Sequence, residues 1–227
     1  MTTDPKSRRR GKKERVKTAR GRTASSTRWL QRQLNDPYVA EARRLGYRSR
    51  SAFKLKEIAE KYDLFKGVKT VVDLGAAPGG WCQVMREIAP KVKILAVDLQ
   101  EIEPVPGVDF IVGDFLEDST YQAILDKTAG GVDAVISDMA NAATGHRQTD
   151  HLRTMVLCDA GLDFALEVLN PGGFFLSKVL QGGTEGELLT TLKKNFKTIR
   201  HLKPPSSRQD SRELFVLATG FKGRAQP

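Results

Sequence analysis

The sequence predicts an α/β fold, a mainly parallel sheet covered by helices on both faces. Three observations predict it. Short, β-branched apolar runs recur from residue 70 onward and alternate with amphipathic stretches, the rhythm of strand–helix–strand units whose strands are buried on both sides. The first run empties into a glycine-rich turn, "DLGAAPGGW" at 73–81. Several runs close on an acid, and in open α/β sheets ligands bind beyond the carboxyl ends of the strands.

Residues 1–28 carry no hydrophobic periodicity and are expected to be a basic extension, disordered without a partner, ahead of a single domain at 29–227. From Trp29 the pattern turns helical in "RWLQRQLNDPYVAEARRLGY", broken at Pro37. "SRSAFKLKEIAEKYDLF" places Phe53, Leu55, Ile58 and Ala59 at helical spacing, with Ser49 or Ser51 as its cap. "TVVDLG" reads as a strand and "GWCQVMREIA" as a helix ended by Pro90. "KILAVDL", "VDFIVGDF" and "VDAVISDMA" read as further strands. "TDHLRTMVLCDAGLDFALEVLN" is a long helix stopped by "PGG"; "GFFLSKVLQ" is a strand, "EGELLTTLKKNF" a helix and "ELFVLATGF" the last strand. There is no internal repeat.

Charge is unevenly placed. Residues 1–50 hold 16 Lys/Arg against 4 Asp/Glu, a net of +12, whereas 51–227 hold 21 against 23, a net of −2. Clustered Lys and Arg neutralise phosphates and release counterions, so nucleic acid is the expected partner of the N-terminal segment. No apolar run is long enough to cross a bilayer, and none follows the basic stretch as a secretory signal requires. Cys82 and Cys158 have no metal-binding spacing, nor do His146, His151 and His201. The expectation is a cytoplasmic monomer with free thiols, no metal and no membrane.

Which ligand the glycine turn receives follows from what it lacks. A P-loop needs Gly-Lys-Ser/Thr, but Gly79 and Gly80 precede Trp81 and Cys82. The dinucleotide fingerprint needs a second glycine that "GAAPGG" omits, although an acid, Asp98, stands at the ribose-binding distance. A nucleoside carrying positive charge fits better. For S-adenosylmethionine, Asp73 and the turn suit the cationic amino-acid end, Asp98 the ribose diol and Asp114 the adenine amino group. A nicotinamide dehydrogenase remains as a rival, with the wrong turn and no evident proton relay.

At this point the chain resembles the FtsJ-type RNA ribose 2′-O-methyltransferases. The resemblance spans about residues 29–222 and rests on "DLGAAPGGW", "SDMA", "LSKVLQG" and "SSRQDSRELFVLATGF" in that order. It implies a seven-strand methyltransferase-type sheet and S-adenosylmethionine as cofactor, bound at Gly79, Trp81, Asp98, Asp114 and Asp138. It also implies a Lys-Asp-Lys-Glu tetrad, matched here by Lys54, Asp138, Lys178 and Glu213, with Lys178 as proton acceptor. The implied substrate is a uridine ribose in large-subunit ribosomal RNA, within the assembled subunit. Alternatives are transfer RNA or an RNA-binding assembly factor without turnover.

The residue types suit the chemistry, because a ribose hydroxyl is a poor nucleophile that must be aligned and relieved of a proton. A lysine acts as a base only when neutral; desolvation and a neighbouring ammonium favour that form, and nearby carboxylates oppose it. Sequence leaves open whether Lys178 is such a base or a charged group that orients the hydroxyl. "SDMANAATG" is not the "DPPY"-like run of base amino-group methylation, and the cysteines lack the context of cytosine C5 methylation, which points to ribose. The family usually has proline where Asn141 stands. Arg43, Arg44, Arg48 and Arg50 are expected to join residues 1–28 in contacting phosphates, Lys203, Arg208 and Arg212 to hold RNA near Glu213, and residues 144–151 to help position it.

Overall fold

A computed structural model of the chain describes residues 14–16, 21–140, 146–182 and 186–224. Most of the basic segment, Asn141 and the first part of the 144–151 loop lie outside the described residues.

Two helices precede the sheet. Helix α1 (Ala24–Leu34) begins five residues before the expected boundary, because Thr23 accepts the Ser26 N–H and caps it. The Glu14 and Val16 N–H groups donate to the Asn35 and Gln31 side chains, fastening that short segment to α1. Helix α2 (Pro37–Leu45) has Pro37 in its first turn and Asp36 as its cap, so the proline starts a new helix as it ends the old one. Helix α3 (Ala52–Tyr62) corrects the capping expectation. Ser51 stands at the cap position but makes no capping bond; its hydroxyl pairs with that of Ser49.

The sheet comprises β1 (Thr70–Leu74), β2 (Lys93–Asp98), β3 (Val108–Val112), β4 (Val132–Ser137), β5 (Leu169–Leu180), β6 (Phe196–Leu202) and β7 (Glu213–Phe221). Their order is β3-β2-β1-β4-β5-β7-β6. The first five strands are parallel, and β7 runs antiparallel to both β5 and β6. Helices α4 (Gly80–Ile88), α5 (Asp118–Lys127), α6 (Arg147–Val168) and α7 (Glu187–Asn195) connect them.

Side chains alternate across the strands, so one apolar run fills two cores. Val71, Ile94 and Ile136 pack with Leu55 and Met85 from α3 and α4. Val72, Leu95 and Val135 pack on the other face with Phe164 and Leu192 from α6 and α7. Each fully buried large apolar side chain contributes about 1.5–3 kcal/mol.

Two local readings are corrected. The "FKTIRHL" segment forms strand β6, where the sequence pattern predicts none and carries the preceding helix through Phe196. As an edge strand it buries mainly its ends, Phe196 and Leu202, and exposes Lys197, Arg200 and His201, so it lacks the apolar run that marks the central strands. Strand β5 also begins at Leu169, ahead of "PGG". Pro171 is tolerated because the β4–β5 register shifts there, between Val132 and Ala134.

The topology positions the site. The chain runs from β1 outward to β3 and returns to β4 on the other side of β1, opening a crevice at the carboxyl ends of these strands. Because β7 is antiparallel, its start lies at the same edge: Glu213 pairs with Leu180, and Phe215 with Lys178.

Candidate active site

Gly75 makes the close turn after β1. Its φ is +76°, and a Cβ there would stand 2.8 Å from the Met139 backbone, so only glycine lets the β1–α4 turn approach the segment after β4. The backbone N–H groups of Gly75 and Ala76 donate to the Val97 carbonyl (2.9 and 3.1 Å). Above this turn lies a cavity of about 570 Å³, lined among others by Ala77, Asp98, Leu99, Asp114, Leu116 and Asp138.

Each acid is held in a definite way. Asp98 accepts the Ala77 N–H through one oxygen and the Gln100 N–H through the other, both at 2.9 Å, which leaves its remaining lone pairs for a diol. Asp114 accepts the Leu116 N–H (2.9 Å). Leu99 and Leu116 are 67 % and 52 % exposed, apolar walls suited to a flat ring. Asp73 is fully buried at the end of β1 and takes the Cys82 thiol at 3.4 Å, but its Oδ1 has no partner. Burial pushes its pKa up to about 7, opposed by the thiol and assisted by Asp138 and Asp98.

Two ion pairs stand at the same edge. Lys178 Nζ donates to Asp138 twice, to the backbone oxygen (2.6 Å) and to Oδ1 (2.7 Å). Lys54, from α3, meets Glu213 at 2.5 Å and lies 5.7 Å from the Phe215 ring centroid. Burial works to raise the Asp138 pKa, yet Lys178 and then Lys54 bring it below the ordinary carboxylate range. The structure thus brings the four tetrad residues together, and Asp138 also lines the cavity.

Gly79 and Trp81 are placed differently. Gly79 is the cap residue of α4, with φ +98° and no side chain to satisfy the helix's first N–H groups. The Trp81 ring is 2 % exposed, donates its Nε1–H to the Ser51 carbonyl and packs on Phe215 at 5.8 Å. Its indole is therefore a core group, and neither Gly79 nor Trp81 is among the residues that line the cavity.

The arginines expected at phosphate are largely occupied. Arg44 pairs with Glu41, and Arg48 donates to the Pro78, Glu103 and Pro104 carbonyls. Arg50 and Arg208 both pair with Asp36 at 3.1 Å. Lys203 donates to the Gln209 and Ser211 carbonyls, and Arg212 to that of Gln181. Arg43 is exposed. Sequence reasoning missed Asp36 as this hub, since the Asp-Pro pair signalled only a helix start. It also missed Glu57, which accepts both the Ser206 N–H and hydroxyl (2.8 Å each) and holds the segment before Glu213 against α3.

A switch-point cavity lined by Asp98, Asp114 and Asp138, a buried carboxylate with one unpaired oxygen and two lysine–carboxylate pairs at the same sheet edge fit a methyltransferase of the open α/β class. Comparison with known proteins agrees and narrows the class. The FtsJ-like methyltransferase family matches residues 47–221. Ribosomal RNA large subunit methyltransferase E of Novosphingobium aromaticivorans is 57 % identical over 93 % of this chain and 95 % of its own length. The protein of the same name from Parvibaculum lavamentivorans is 54 % identical over 96 % and 90 %. A crystal structure described as a ribosomal RNA methyltransferase from Plasmodium falciparum superposes with a TM-score of 0.70 at 32 % identity, covering 78 % of this chain and all of that one. The chain belongs to the FtsJ-like methyltransferase family. No helix among its described residues is long and apolar enough to cross a membrane.

Proposed function

We propose that the protein transfers a methyl group from S-adenosylmethionine to the ribose 2′-hydroxyl of a uridine in large-subunit ribosomal RNA, acting in the cytoplasm on the assembled subunit. The observation that carries this reading is the Lys178–Asp138 contact beside a nucleoside-sized cavity that Asp138 itself lines, with the Lys54–Glu213 pair at the same sheet edge. The residues present fit the cofactor. The orphaned Asp73 Oδ1 provides for an ammonium, and the first turn of α4 that follows Gly79, at Trp81, has no side-chain cap and provides for a carboxylate. Asp98 provides for a ribose diol and Asp114 for an amino group. When bound, S-adenosylmethionine supplies a methyl group already activated on a sulfonium.

The protein's part is alignment and proton management. Lys178 has three N–H donors, of which two are taken by Asp138, leaving one direction for the substrate hydroxyl. Paired in this way it orients the hydroxyl and stabilises developing negative charge on the oxygen. The same direction, facing the hydroxyl, is where Lys178 would act as proton acceptor. Lys54, held by Glu213, keeps a second positive charge by Asp138 and completes the tetrad. Mapping 2′-O-methyl marks in ribosomal RNA from cells with and without the gene tests this. One large-subunit uridine mark should vanish in the deletion; an unchanged pattern would overturn the assignment.

A further inference from the structure

Arg48 stands half-buried between α2 and α3, and its guanidinium joins two loops that are far apart in sequence. Nη1 donates to the carbonyls of Pro78 (3.3 Å) and Glu103 (2.5 Å), and Nη2 to that of Pro104 (3.0 Å). Pro78 belongs to the β1–α4 turn; Glu103 and Pro104 belong to the link between β2 and β3. Both loops line the cofactor cavity. The turn contributes Gly75, Ala77 and Pro78 to its wall, and the link contributes Leu99 and Gln100. Arg48 is not itself in the wall, so anything it does for a ligand it does through these loops.

The link needs such a tether. Residues 99–104 form no helix or strand and are exposed apart from half-buried Ile102. Asp98 fixes the inner end, through the Ala77 and Gln100 N–H groups, and Arg48 fixes the outer end. The arginine is held in turn from α4: its backbone N–H donates to Gln83 Oε1, and Gln83 Nε2 donates to the Gly46 carbonyl, both at 2.9 Å. A Cβ on Gly79 would stand 2.8 Å from Arg48 Nη1 and 3.3 Å from Ile102 Cδ1. The glycine therefore leaves room for the guanidinium against the turn. A planar fork suits the task, since it presents several donors in fixed directions where an ammonium presents a point charge.

We propose that Arg48 is a positioning residue for the cofactor. It sets the spacing between the turn that takes the amino-acid end and the link that follows the diol-binding Asp98. The inference rests on the S-adenosylmethionine reading above. A ligand that spans both loops depends on that spacing, whereas one confined to the nucleoside side does not.

The test compares two ligands on the full chain by calorimetry. S-Adenosylhomocysteine and 5′-methylthioadenosine share the adenosine and the thioether, and only the first carries the amino-acid end. Arg48→Met keeps the stem and removes the fork. It should weaken S-adenosylhomocysteine about tenfold, the lower end of what loss of a charge-assisted bond gives. It should change 5′-methylthioadenosine by less than about twofold, the scatter expected where no contact is shared; that retained affinity also establishes that the variant folds. Arg48→Lys should fall between the two proteins, because an ammonium can serve one loop but has no fork for both. In steady-state transfer to ribosomal subunits, the KM for S-adenosylmethionine should rise about tenfold in Arg48→Met, with kcat and the KM for subunits unchanged. Equal losses for the two ligands would make the role a general structural one and overturn the proposal. Unchanged S-adenosylhomocysteine affinity with a raised KM for subunits would overturn it too, and would assign Arg48 to RNA instead. A wild-type protein that binds neither ligand would remove the cofactor reading and this inference together, whereas wild-type binding with equal losses would remove the inference alone.

Discussion

Asp73→Asn separates ligand binding from stability at one buried atom. The Asp73 carboxyl is fully buried, and its pKa rises from 3.8 to about 7. Between those values the folded protein holds a proton that the unfolded chain has lost, so stability falls as pH rises across that window and levels off above it. Three units at 1.36 kcal/mol each amount to about 4 kcal/mol at pH 8, against about 1.5 kcal/mol at pH 5. Asparagine keeps the shape and an acceptor for the Cys82 thiol but does not titrate. Its unpaired amide costs the same at both pH values. Relative to wild type, the ligand-free variant should therefore gain about 2–3 kcal/mol between pH 5 and pH 8, read by urea unfolding at the two pH values. S-adenosylmethionine should reverse the ranking. Wild-type affinity should rise through pH 7 as the carboxylate forms, while the variant binds more weakly and without pH dependence. Unfolding curves whose separation is the same at both pH values would refute the reasoning.

Gly75→Ala should cost at least about 2 kcal/mol, because a methyl at φ +76° meets the Met139 backbone; a melting curve checks it. Asp98→Ala removes the acceptor for the Ala77 and Gln100 N–H groups along with the diol partner. Cofactor affinity by calorimetry should fall at least tenfold, as charge-assisted bonds are worth about 1.5–3 kcal/mol. Asp36→Ala leaves Arg50 and Arg208 without their shared carboxylate and α2 uncapped. About 3–5 kcal/mol of stability should be lost, with proteolysis appearing first at residues 203–212.

Much of this architecture is legible in the amino-acid sequence where burial is two-sided. Strands β1, β2 and β4 announce themselves because both faces are apolar, and the acids closing them mark the carboxyl edge. Strand β6 is hidden because only its ends are buried. The tetrad is spread across residues 54 to 213 and no periodicity connects its members; only the order of the motifs relates them, and the antiparallel course of β7 brings Glu213 to the edge that holds Lys178. Trp81 shows what a motif leaves out: its position in "PGGW" says nothing of the indole, which faces the core and packs on Phe215. The basic residues are the hardest to read. Counting charges cannot tell an arginine that meets RNA from one that meets Asp36, because that depends on which carboxylate the fold delivers within 4 Å.

The most direct measurement is methyl transfer in vitro: labelled S-adenosylmethionine, large ribosomal subunits lacking the mark, and purified wild-type or Lys178→Ala protein, followed by nucleoside digestion. Wild type should place the label on a uridine 2′-oxygen, and the variant should bind cofactor normally yet lose at least about 100-fold in single-turnover rate. Label recovered on a base, or a variant that keeps its rate, would contradict the account.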